Sequence, residues 1–175
     1  MPDGTTTDKE LRVERLMAEA RGFGLEVREV DSTKPWGGYI RFTRGSLGAF
    51  LSAYWRGIHV RDADLDLDAK LLLVAPGQRL SLQSHERRSE LWRVLEGPVT
   101  VVMGESEAAM VDRPLSPVEV ITLPCGQLHR LSAPDDSWGV VAEFWQHSDP
   151  ANPSDESDIV RHADDYGRPT DNNSA

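Results

Sequence analysis

Four side chains in this sequence have the donor types and spacing to hold a divalent cation. Gln83, His85 and Glu90 lie in the run Gly77-Gln-Arg-Leu-Ser-Leu-Gln83-Ser-His85-Glu-Arg-Arg-Ser-Glu90-Leu-Trp, and His129 closes Pro124-Cys-Gly-Gln-Leu-His129. On a strand, residues two apart leave the same face, so Gln83 and His85 project together. The polar stretch from Glu86 to Ser89 is expected to close a hairpin and return the chain into Leu91–Leu95, with Glu90 at its mouth. Two imidazoles, a carboxylate and an amide oxygen suit Zn, Mn, Fe, Co or Ni without choosing among them. A lone strand histidine is usually just hydrogen-bonded to a neighbour; it is the combination that points to a metal.

The elements that must position these donors follow from patterning. Thr7-Asp-Lys-Glu10 is a capping box opening a helix that Gly22 and Gly24 stop. Leu25–Val30 alternates as a half-buried strand, whereas the Pro and paired glycines of Lys34-Pro-Trp-Gly-Gly-Tyr39 predict an irregular segment. Residues 46–56 read as a helix, and the acid-rich stretch after it as a loop or edge strand with His59 exposed. From Lys70 onward, apolar runs of four to eight residues recur between Gly and Pro signals. Leu71–Ala75, Leu91–Leu95, Val99–Met103, Val118–Leu123, His129–Ser132 and Trp138–Trp145 together predict an antiparallel sandwich or barrel. Residues 1–30 are expected to form an N-terminal extension. Residues 31–168 form the main domain with an inserted region at about 40–69, and disorder is expected at residues 1–6 and 169–175.

At 175 residues the chain is long enough to bury a real core, and its net charge of −10 argues against a nucleic-acid surface. No apolar run reaches the ~20 residues of a membrane span, and the N-terminus lacks the pattern of a signal peptide. A single Cys125 cannot form an internal disulfide, which fits a reducing cytoplasm. Cys125 itself reads as a small buried filler, with a fifth-ligand role as the alternative. In so acidic a chain, clustered arginines suggest an anion. Arg79, Arg88, Arg161 and Arg168 are the candidates to converge on a phosphate, since guanidinium pairs with it bidentately. Trp36, Tyr39 and Trp92 are candidate walls of a sugar pocket.

The two donor segments resemble the paired motifs of the cupin superfamily. Gln83 stands where most cupins carry their first histidine, Val118 replaces the leading glycine of the second motif, and Ala133 its final asparagine. Lys34-Pro-Trp-Gly-Gly-Tyr39, Arg79-Leu-Ser-Leu-Gln83, Arg87-Arg-Ser-Glu90 with Trp92, and Asp158-Ile-Val-Arg161 through Asp164-Asp-Tyr-Gly-Arg168 are similar to the type II phosphomannose isomerases. That group includes the isomerase module fused to mannose-1-phosphate guanylyltransferases. The nucleotidyltransferase portion is not expected here, because the Gly-rich phosphate loop is missing. The resemblance implies an all-β jelly-roll barrel with peripheral helices at its N-terminal side, and a metal on Gln83, His85, Glu90 and His129. It also implies a homodimer paired through sheet edges or exchanged N-terminal strands, for which Leu25–Val30 would serve.

The activity so implied is interconversion of mannose 6-phosphate and fructose 6-phosphate, with glucose 6-phosphate or a heptose phosphate as alternatives. Lys34, Arg79, Arg88, Arg161 and Arg168 would bind substrate, Arg88 and Arg161 would also assist catalysis, and Glu143 is the first candidate base, ahead of Asp158 and Asp164. Two other classes compete: a non-catalytic sugar-binding or regulatory cupin, and an iron oxygenase built on two His and a carboxylate.

Overall fold

The computed structural model describes residues 7–57 and 68–171, so His59 and the tips of both termini lie outside the described residues. Thr7 caps helix α1 (Asp8–Gly22) through a reciprocal capping box with Glu10, as its sequence predicts. Strands β1 (Val27–Asp31) and β2 (Gly37–Phe42) follow, and then helix α2 (Leu47–Tyr54). The remaining strands are β3 (Ala69–Val74), β4 (Leu82–Ser84), β5 (Arg88–Glu96), β6 (Val99–Gly104), β7 (Val111–Leu115), β8 (Val120–Leu123), β9 (Leu128–Ser132), β10 (Gly139–His147) and β11 (Val160–Ala163). They form two antiparallel sheets, ordered β1-β2-β3-β10-β5-β8 and β11-β4-β9-β6-β7. This is the all-β double-sheet jelly roll expected, with its helices at the N-terminal side. No helix among the described residues is long and apolar enough to cross a membrane.

The six-stranded sheet is covered on both faces, which explains why β3 and β10 read as unbroken apolar runs. Leu71, Leu73, Val140, Ala142 and Phe144 point outward into a core shared with Leu16 and Ala20 of α1 and Phe50 and Tyr54 of α2. The alternate residues Leu72, Val74 and Val141 point inward and meet Val101 and Leu131 of the second sheet. The region after residue 40 thus contributes a helix that seals the outer face.

Two local expectations need correction. Gly37 and Gly38 do not break the chain; they begin β2, because the strand backbone runs against its neighbours. A Cβ on Gly37 would collide with the Leu73 carbonyl, and one on Gly38 would lie 2.6 Å from the Asp31 carbonyl oxygen. Nor do β4 and β5 form a hairpin. They belong to different sheets, and His85–Arg87 is a crossover from one sheet to the other. The carboxylate of Asp158 ties that crossover down by accepting from the backbone N–H groups of Glu86 and Arg87 at 2.9 and 3.1 Å. β1 pairs with β2 of its own chain.

Val118 is the only described non-glycine residue at positive φ, 73°, in the turn that enters β8. Its N–H still donates to the Val94 carbonyl at 2.9 Å, so the turn keeps its geometry despite a β-branched residue where glycine costs nothing sterically. The side chain is 69% exposed and offers little packing in return. Val118→Gly is expected to stabilise the protein by about 1 kcal/mol, the relieved strain outweighing the entropy of glycine. Urea denaturation of both proteins would measure this, and an unchanged or lower midpoint would contradict it.

Candidate metal centre and cavity

Two cross-strand rows face each other at one end of the barrel. In the five-stranded sheet, Arg161 of β11 pairs with Gln83 of β4, and Gln83 pairs with His129 of β9. In the six-stranded sheet, the register aligns Glu29, Arg41, Lys70, Glu143 and Trp92 across β1, β2, β3, β10 and β5. Residues directly opposite in neighbouring strands share a face, so these side chains share the barrel's inner faces although they come from eight strands. Glu90 lies two residues before Trp92 on the same inward face, and His85 enters from the crossover.

His85, Glu90 and His129 are almost completely buried, at 2%, 2% and 1% exposure, and offer ligand atoms all within 4.8 Å of one another. Each imidazole is oriented by a main-chain carbonyl: His85 Nδ1 meets the Asp158 oxygen at 2.6 Å and His129 Nδ1 the Gln127 oxygen at 3.0 Å. A carbonyl can only accept, so both Nδ1 atoms carry protons and each Nε2 turns toward the centre. There His85 Nε2 lies 3.1 Å from Glu90 Oε1, and His129 Nε2 lies 3.5 Å from Glu90 Oε2. Among the described residues, both His129 Nε2 and Glu90 Oε2 lack a hydrogen-bond partner. Burial pushes the His85 pKa down, so its Nε2 favours a bare lone pair. Burial opposes ionisation of Glu90, yet its pKa lies well below the usual range, so it stands as a carboxylate. Lone pairs and a carboxylate confronting one another in a dry pocket call for a cation, and the donor set fits a divalent metal.

Gln83, beside His129, lines the adjoining cavity, and its Oε1 accepts from Ser81 Oγ at 3.0 Å. Arg88 is drawn into the centre. Its Nε donates to Glu90 Oε1 at 2.9 Å, and its Nη1 reaches Ser154 Oγ and the carbonyls of Asp155 and Asp158. Its guanidinium stacks 3.7 Å above the Trp145 ring. This arginine lines the cavity with most of its donors spent on protein.

The cavity encloses about 190 Å³ and is walled by Trp36, Tyr39, Gln83, Glu90, Glu143 and Arg161, among others. Its lining is partly basic. Arg161 Nε has no hydrogen-bond partner among the described residues, and Lys34 and Arg168 also line the cavity while pairing with Asp31 and Asp164. Burial and then the charge of Arg168 lower the Arg161 pKa, the signature of crowded cations. Arg79 is elsewhere: half exposed, it pairs with Asp165 at 2.5 Å and does not line this cavity. Trp92 is buried, and its indole N–H donates to Glu143. Cys125 is exposed, not a buried filler, and its thiol donates to the Glu86 carbonyl at 2.9 Å.

Glu143, 4% exposed, accepts indole N–H bonds from Trp92 at 2.9 Å and Trp145 at 3.0 Å. Burial, reinforced by the charge of Glu90, raises its pKa to about 7. Asp158 orients the crossover and Asp164 holds Arg168, so both alternative bases are engaged elsewhere. Lys70 and Glu156 also line the cavity. No sequence signal singles out Lys70, which opens an apolar run, or Glu156, which lies in a polar stretch.

The family described as Mannose-6-phosphate isomerase C-terminal matches residues 52–164. The chain belongs to this family. A xanthan biosynthesis protein, XanB, of Xanthomonas campestris is 32% identical over 114 residues, covering 65% of this chain and 22% of that protein. A mannose-1-phosphate guanylyltransferase of Escherichia coli is 28% identical over 156 residues, covering 89% of this chain and 26% of the relative. The chain therefore spans only about a quarter of these relatives' length. The capsular polysaccharide assembling protein CapF of Staphylococcus aureus has a TM-score of 0.50 at 16% identity, covering 79% of this chain and 32% of that one. Vicilin from hazelnut, Corylus avellana, gives 0.51 at 16% identity over 67% of this chain and 31% of its own. Both share the fold.

In this family member, His129→Ala is expected to weaken divalent-metal affinity by on the order of a hundredfold or more, exceeding the loss typical of an outer partner. Calorimetric titration with zinc, manganese and cobalt would measure it. The stabilisation of about 2.7 kcal/mol expected at a hundredfold excess over Kd should vanish in the variant. Equal affinity in both proteins would remove the centre.

Proposed function

We propose that the protein is a metal-dependent sugar-phosphate isomerase that interconverts an aldose phosphate and a ketose phosphate, with mannose 6-phosphate and fructose 6-phosphate as the pair. The observation that carries this reading is one cavity bounded by the His85–Glu90–His129 centre, the carboxyl of Glu143 and the unpaired edge of Arg161. The family match and the guanylyltransferase relative support a phosphosugar as the ligand.

Aldose–ketose isomerisation moves a proton between adjacent carbons through an enediolate. A divalent ion held by Gln83, His85, Glu90 and His129 would supply Lewis-acid stabilisation of the charge developing on the two neighbouring oxygens. The chain supplies the rest. Glu143 takes the proton from C2 of the aldose and returns it to C1, its pKa of about 7 suiting both directions, while the hydroxyl proton passes from O2 to the neighbouring O1. The two indole N–H groups fix the carboxyl in place, so its orientation costs no entropy during the reaction. Arg161, Arg168 and Lys34 hold the phosphate at the other end, while Trp36 and Tyr39 cover the sugar and exclude water. Arg88 holds Glu90 and His85 in register, a positioning part more than a phosphate contact.

An iron oxygenase is the weaker alternative, because Gln83 stands beside the centre and the cavity lining is partly basic. A non-catalytic sugar-binding cupin would keep the centre but need no buried acid with a pKa near neutrality.

Purified protein supplied with fructose 6-phosphate and each metal in turn should form mannose 6-phosphate; no turnover with any metal would end this reading. Glu143→Gln should lower kcat by roughly 10²–10⁴-fold with little change in KM. A base must be deprotonated to act, so wild-type kcat should rise with pH and level off above about 7, the value to which burial lifts Glu143.

A further inference from the structure

Lys70 is neither a metal donor nor one of the proposed phosphate contacts, yet it is 8% exposed and faces the cavity from β3. It is the cross-strand partner of Glu143, with Nζ 3.7 Å from Glu143 Oε1. We propose that Lys70 is the positioning residue of the acid–base site: its ammonium, set beside Glu143 by strand register, determines at what pH that carboxyl is free to take a proton. This deepens the isomerase reading, on which its kinetic consequence rests.

The geometry singles out Lys70. Among the described residues Glu143 receives two hydrogen bonds, both from neutral indoles, which orient it without supplying charge. The other charged groups that act on it are Glu90 of β5, which disfavours its ionisation, and Arg88, whose Nε and Nη1 are already directed at Glu90 and the Ser154–Asp158 segment. Among the described residues that leaves Lys70 as the cation paired with Glu143. Lys70 in turn faces Asp68 at 3.9 Å, Glu156 at 2.9 Å, the like charge of Arg41 on β2 and the ring of Trp145 at 4.2 Å. Burial alone would push its amine toward neutrality. Glu143, Asp68 and Glu90 oppose that but offset it only in part, so its pKa stays below the usual lysine value. Glu156, 53% exposed, also pairs with Arg41, so the outer end of this charged row is closed by an acid in contact with solvent.

The two indoles that touch Glu143 provide a readout separate from turnover. Each N–H donates directly to the carboxylate, so ¹⁵N chemical shifts of the Trp92 and Trp145 indoles follow its ionisation. The titration is recorded without metal and with zinc added, for wild type and for Lys70→Met, Lys70→Gln and Lys70→Arg. Losing the cation should raise the common indole midpoint by about one pH unit or more in the Met and Gln variants, a tenfold change in proton affinity. Arginine should bring it back toward the wild-type value. In kinetics, Lys70→Met should lose kcat near neutral pH and regain it above its new midpoint, a recovery that misfolding would not give.

The Gln variant keeps the test open if the Met variant fails to fold. A midpoint within about 0.3 units of wild type in the neutral variants would overturn the proposal. Failure of the two ideas is distinguishable. A shifted midpoint in a protein that never converts fructose 6-phosphate would leave Lys70's control of Glu143 standing and remove the isomerase. Turnover with an unmoved midpoint would do the reverse.

Discussion

The site depends on a carboxylate buried against lone pairs. Glu90 is enclosed in the barrel, and the two imidazoles that face it are fixed from behind by the Asp158 and Gln127 carbonyls so that their bare nitrogens point at it. Such an arrangement is costly in a medium of low dielectric unless positive charge fills the space between. Arg88 supplies part of that charge from one side, through one oxygen of Glu90 and one nitrogen of His85. Among the described residues the other oxygen of Glu90 and the nitrogen of His129 have no hydrogen-bond partner, so the protein's own guanidinium supplies only half of the positive charge that this arrangement calls for.

That cost is tolerable because the fold finds its stability elsewhere. The six-stranded sheet buries its outer face under α1 and α2, in a cluster that includes Phe42, Phe50, Trp55, Leu71, Leu73 and Phe144. Its inner face is thereby released from having to be apolar along its whole length. One end of the barrel interior is filled by Val74, Val94, Val99, Val101, Leu131 and Val141, and the other carries the row Arg41, Lys70, Glu143 and Trp92. Strand alternation makes the division possible, since Leu71 and Leu73 serve the outer core while Lys70 and Leu72 look inward.

Much of the centre was legible in the sequence because its donors are local. Gln83, His85 and Glu90 span eight residues, and His129 lies in a turn-bounded segment of its own. Most strands were legible too, since runs such as Leu71–Ala75 and Trp138–Trp145 are bounded by turn residues. Features depending on which strands become neighbours were not. A three-residue connection reads identically as a hairpin or as a crossover between sheets, so the route from His85 to Glu90 needed the fold. Gly37 and Gly38 signalled a break where they permit a close backbone approach. Lys70 looked like the polar edge of an apolar run, and only its register with Glu143 gives it a neighbour. Arg79 carried the right charge, but Asp165 lies closer than the cavity does.

The closing segment explains how the two ends of the cavity keep their distance. At Asp158 the main chain supplies the carbonyl that orients His85, while the side chain accepts from Ser154 Oγ and from the crossover N–H groups of Glu86 and Arg87. Three residues later the same chain runs as β11 beside β4 and sets Arg161 against Gln83. One short stretch of backbone thus fixes both a donor of the metal centre and the cation proposed for the phosphate. Main-chain hydrogen bonds hold these two anchor points in register, and the reach of the Arg161 side chain completes the span between them. Under the proposed function, a phosphosugar whose phosphate and reacting carbons match that span would engage both groups together, whereas a shorter or longer one would leave either Arg161 or the candidate metal centre unengaged. Discrimination by length would then rest on strand register together with the reach of one arginine, and would need no specific contact with every hydroxyl.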